Sequence, residues 1–152
     1  MIDKTVQAVF DKAIYLIDAQ NESTGSTNNS DTTEYRVRTI GILNNLLDEV
    51  FIASETFFID EDGHRGALDD ITSFDDALDL DARILRNVLP CGLAAKLLSE
   101  ENPQLANYFQ QLYERGLEEA KRQMPATIES IDSDLGGPYG GIEHGEYCRW
   151  NF

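Results

Sequence analysis

Apolar residues recur three and four positions apart in four stretches of this chain, and that spacing limits it to packed helices. From Lys4 to Ala19 the series is Val6, Val9, Phe10, Ala13, Ile14, Leu16 and Ile17. A second series, Val37, Ile40, Leu43, Leu47, Val50 and Phe51, runs between Glu34 and Ala53, and Asp31 with Glu34 three residues on has the spacing of a capping box. A third helix is expected to begin near Ser73 or Leu80 and to carry Ile84, Leu85, Val88 and Leu89 into "PCGLAAKLL". Pro90 has no amide proton and crowds the preceding turn, so a kink or break is expected there. Gly92, Ala94 and Ala95 leave room for another helix to approach. Asn102 suits an N-cap and Pro103 a first turn, opening a fourth helix through Leu105, Tyr108, Phe109, Leu112, Leu117 and Ala120 to a stop at Pro125. The reading is a mainly α fold: a small bundle of about four helices over residues 1–125, kinked at Pro90.

The connections differ in kind. "QNESTGSTNNSDTT" has little to bury and reads as a mobile connector. Residues 55–80 read as an acidic loop, or as a weak hairpin pairing Thr56–Ile59 with Ala67–Ile71 across the turn "DEDGHRG". Beyond Pro125, residues 126–152 read as an extended tail. Its last part, "GGPYGGIEHGEYCRWNF", sets Tyr139, Ile142, Tyr147, Trp150 and Phe152 among glycines. Five large apolar side chains on a strand that cannot fold alone must dock, since burying each is worth about 2–3 kcal/mol. They dock either across their own bundle or in a partner's groove, and the latter is favoured because an extended tail of this length reaches several bundle diameters.

Charge narrows the function classes. The chain of 152 residues has a formal net charge of −16, and residues 55–80 hold nine acids against Arg65 alone. No basic face is available to displace counterions from a nucleic-acid backbone. The acidic run is either a solvated loop or a surface that repels DNA or meets a basic partner. No cofactor or metal is expected: "DEDG" lacks the alternating ligands of a calcium loop, and Cys91, Cys148, His64 and His144 form no ligand cluster. No phosphate cradle, nucleophile elbow or zinc-protease motif occurs, so an enzyme is not expected. No apolar run approaches the ~20 residues that span a bilayer, and the N-terminus has no secretory pattern, so a cytoplasmic protein is expected.

One longer pattern is more specific. The run "ILRNVLPCGLAAKLLSEENPQLANYFQQLYERGLEEAKRQMP", followed by "YGGIEHGEYCRW", resembles the head-to-tail connector (adaptor, or neck) proteins of tailed phages and prophages, most clearly from about Asp70 to Trp150. Cys91 departs from it, standing where an aromatic such as Tyr is expected. The resemblance implies a ring, usually of twelve subunits, in the virion neck. The ring joins the portal protein on one side and a tail or stopper protein on the other, and is assembled in the host cytoplasm. It also implies that the C-terminal segment docks on the portal, which here gives that role to Tyr139, Ile142, Tyr147, Trp150 and Phe152. Asp60, Glu61, Asp62, Asp69 and Asp70 then become candidates for lining a DNA channel or facing the next tail ring, past which DNA slides without specific binding.

A ring needs two different faces of one subunit. Ile42, Leu46 and Ile52 lie off the main stripe of the second helix, and are candidates for a neighbour contact or for a broad core stripe. The reading from another class is an acidic binding module, an inhibitor or DNA mimic, acting through residues 55–80.

Overall fold

The computed structural model describes residues 2–17 and 23–123. Four α-helices, α1 (Val6–Ile17), α2 (Thr33–Ile52), α3 (Leu89–Leu98) and α4 (Pro103–Arg122), form a small bundle, and among the described residues there is no strand beyond two isolated bridges. The extended reading of residues 126–152 lies outside the described residues.

α3 is the centre of the bundle and packs against each of the other three helices. It is apolar on nearly all sides, as a helix enclosed by others must be. Leu89, Pro90, Cys91, Gly92, Leu93, Ala94, Ala95, Leu97 and Leu98 are all buried. Small residues set the distance to α4. A Cβ on Gly92 would lie 2.8 Å from the Tyr113 ring, and one on Gly116 would lie 3.1 Å from Val88. At the position of Cys91, burial holds the thiol above its usual range.

Pro90 does not break its helix. The helical backbone runs from residue 82 to 98, and the expected kink takes the form of a π-turn at Ile84–Val88 just upstream. There the Leu89 amide donates to the carbonyl of Ile84, five residues back. Pro90 has no amide to donate and its ring crowds the carbonyl four residues before it, so a wider turn relieves a strain that a regular helix would hold. The helix opens at Asp81, whose Oδ1 accepts the Ile84 amide at 2.9 Å.

In α2 the buried stripe is Tyr35, Thr39, Leu43, Leu46, Leu47, Val50 and Phe51. This corrects the expected stripe at its start: Val37 is 78% exposed, and Tyr35 takes the inward position because it lies two turns before Leu43. The capping box at Asp31 and Glu34 is also absent. The N-cap is Thr32, and Asn29 Oδ1 accepts the amides of Asp31 and Thr32. The connector before α2 is correspondingly built rather than slack over its last residues. Thr27 is buried, donates to Asp11 Oδ1 at 2.6 Å, and lends its carbonyl to the Thr32 hydroxyl. The cap expected at Asn102 does form: its side chain accepts the Leu105 amide at 3.1 Å.

The segment after α2 divides in two. The expected hairpin shrinks to one bridge, Ile59 with Arg65, around a tight turn in which Gly63 takes a positive φ of 80°. Residues 71–81, in contrast, belong to the body of the fold. The carbonyls of Asp76 and Phe74 accept the otherwise unpaired amides of Val6 and Gln7 at the start of α1. Phe74 packs edge-on to Phe10, with the Arg36 guanidinium 3.8 Å from its ring centre. Asn44 clamps the same segment to α2: its amide nitrogen donates to the Ile71 carbonyl and its oxygen accepts the Ile71 amide.

Tyr35 ties the start of α2 to the turn before α4 by donating its hydroxyl to Glu101. Its burial first, then the hydrogen bond and charge of Glu101, push the phenol up to about 12 from 10.0. Burial raises Tyr113 as well; its hydroxyl is enclosed and faces Glu49 without closing a hydrogen bond. Since the folded pKa exceeds the unfolded one, the contribution is fully present below pH 10 and is lost as pH rises through 12. The melting temperature should therefore fall across this window, and fall less steeply in Tyr35→Phe, as circular dichroism melts at stepped pH will register.

Candidate interaction surface

Among the described residues, the large apolar side chains left at the surface are Tyr15 and Leu16 at the end of α1, Val37 and Ile52 on α2, Phe58 and Ile59 beyond it, and Tyr108 on α4. Ile52, Phe58 and Ile59 lie close in sequence after the buried Phe51, whose ring meets those of Phe57 and Phe58 at 5.4 and 5.9 Å. Phe58 is held in place because its ring lies over Gly66, where no side chain fits.

Of the residues off the main α2 stripe, Ile52 is exposed and Ile42 is half-buried against the core. Leu46 is only 5% exposed and touches the surface around Gly92, so for Leu46 the broad-stripe alternative holds and a neighbour contact does not.

The five acids singled out in the sequence stand at two places. Asp60, Glu61 and Asp62 are exposed on the tight turn. Asp60 is also structural, since its Oδ1 accepts the amides of Asp62 and His64 at 3.1 and 2.7 Å. Asp69 and Asp70 are exposed along a hollow of about 450 Å³ shared with Asp76 and Asp79. Asp76 is held below its usual carboxylate range by the amides of Thr72 and Ser73, which its Oδ2 accepts. No group of three metal-ligating side chains occurs among the described residues. Tyr139, Ile142, Tyr147, Trp150 and Phe152 lie outside the described residues.

One feature escaped the sequence reading. A cavity of about 400 Å³ opens where the end of α2, the π-turn and the end of α4 meet. Ala53, Ala82 and Ala120 contribute its small apolar lining, and Arg83, Arg86, Asn87 and Gln123 its polar one. Glu55 and Asp81 also line it, but the Asp81 carboxylate is committed to the amides of Ile84 and, at 3.5 Å, Glu55. Neither guanidinium has an ion pair among the described residues. Arg83 and Arg86 stand three positions apart, a spacing that puts both on one helical face, but nothing in the sequence placed the end of α4 opposite them.

None of the described helices is long and apolar enough to cross a membrane. Comparison of the chain with protein-family models, with curated proteins and with solved structures returns no match.

Proposed function

We propose that the chain is a structural protein of a tailed-phage virion, a head-to-tail connector that forms a ring beneath the portal and joins it to tail components. What supports this reading is the placement of apolar surface. A closed bundle has its core satisfied, yet it leaves Tyr15, Val37, Phe58, Ile59 and Tyr108 each more than half exposed. Covering the exposed half of an apolar side chain of that size is worth about 1–1.5 kcal/mol. The resemblance over Asp70 to Trp150 supplies the kind of assembly, with Tyr139, Ile142, Tyr147, Trp150 and Phe152 as portal anchors. Ile52, exposed and close in sequence to the exposed Phe58 and Ile59, is the candidate subunit contact that best fits a ring.

The test is removal of residues 136–152. The truncated chain should keep the helical circular dichroism and melting temperature of the full chain but no longer co-sediment with portal rings. Unchanged affinity for the portal would discard the docking role of the tail.

A second reading, the acidic binding module, draws support from the rigid turn that presents Glu61 and Asp62 to solvent. Salt separates the two. Capture of a basic partner by exposed carboxylates weakens steeply as salt shortens the screening length, whereas docking by aromatic anchors hardly responds.

A further inference from the structure

The geometry points to residues 127–134 of this same chain, "TIESIDSD", as the occupant of the cavity beside Arg83 and Arg86. Three observations converge on that segment. Gln123, the last described residue, itself lines the cavity, so the chain continues from the cavity's own wall. The next residues include Glu129, Asp132 and Asp134 with no basic residue among them, against two guanidinium groups that have no ion pair among the described residues. Ile128 and Ile131 alternate with those acids and match the small apolar lining of Ala53, Ala82 and Ala120.

Distance and connectivity favour the same chain over any other acidic peptide. Six residue steps lead from Gln123 to Glu129, a reach of at most about 20 Å. A tether of that length holds the acids at an effective concentration in the millimolar range, so modest attraction suffices. Arginine is the side chain best able to grip carboxylates, because its planar fork offers paired donors. Docking here fixes the direction in which the aromatic residues beyond 136 leave the bundle. The inference does not depend on what those aromatics bind.

Amide hydrogen exchange on the full-length chain tests it. Amides of 127–134 should exchange about tenfold or more slowly than in an unstructured peptide, and lose that protection near 0.5 M salt. The double variant R83E/R86E should abolish the protection, and adding E129K/D132K should restore it. A tail-side variant, E129Q/D132Q/D134Q, leaves the bundle untouched and should lose the same protection, so a folding defect in the arginine variants cannot hide the answer. Peptide-like exchange in the unaltered chain, or protection indifferent to both sets of variants, overturns the assignment. Protection that grows with protein concentration overturns it too, since the segment then lies in the cavity of another copy.

Discussion

Gly92→Leu should leave the chain without a cooperative thermal transition. The glycine lies in the middle of α3, where its neighbours on either side are buried. Even a methyl group there would sit 2.8 and 2.9 Å from two carbons of the Tyr113 ring and 3.3 Å from Leu46 Cδ1. Tyr113 is 1% exposed and has nowhere to retreat. Overpacking of this sort costs about 1–3 kcal/mol for small additions, so Gly92→Ala should lose stability despite gaining about 1 kcal/mol of helix propensity. Leucine adds three more carbons at the same point and must part α3 from α4. The control has the opposite sign. Gly41 is exposed in the middle of α2 with nothing within 4 Å of the added carbon, so Gly41→Ala should stabilise by about 0.5–1 kcal/mol. Chemical denaturation of the three variants reads all of these outcomes.

The second large effect is expected at Asn44. Its carboxamide meets both backbone groups of Ile71, donating at 3.0 Å and accepting at 2.7 Å, much as a neighbouring strand would. Asn44→Asp keeps the shape and the acceptor but replaces the donor with a charged oxygen aimed at a carbonyl. Ile71 is 4% exposed, so its carbonyl is left unsatisfied. The lost bond, the stranded carbonyl and the repulsion together should cost about 2–4 kcal/mol. The damage should spread, because residues 74 and 76 supply the carbonyls that close the first turn of α1. Limited proteolysis with an acid-specific protease should therefore cut between residues 69 and 79 well before it cuts elsewhere in the bundle. Cleavage at the same pace as in the parent chain would show that Phe74 and Leu78 hold the segment without Asn44.

Helix content was legible because periodic burial is a local pattern. α1, α4 and most of α2 follow from it, and Asn102 with Pro103 marked the start of α4 from residue type alone. What escaped depended on partners far along the chain. Val37 fits the spacing to Ile40, but Tyr35 and Thr39 are the residues in register with Leu43, and the hydroxyl of Tyr35 finds a distant partner in Glu101. Asp31 was the more obvious cap, but a buried Thr32 is tied back to Thr27 and takes the place. The acidic segment looked uniform in composition, yet residues 71–81 are anchored by Asn44, Lys4 and α1, while 60–70 are largely exposed. The cavity at Arg83 and Arg86 needed three elements from different parts of the chain, and no short stretch of sequence records such a meeting.

The opening turn of α1 is finished by atoms more than sixty positions downstream: Val6 with Asp76, Gln7 with Phe74, and the carbonyl of Lys4 with the amide of Leu78. A ribosome making this chain thus releases the first turn of α1 long before the carbonyls that pair its amides have been made. Completing that turn means closing a loop of about seventy residues, a contact of long sequence separation in a bundle otherwise joined by shorter connections.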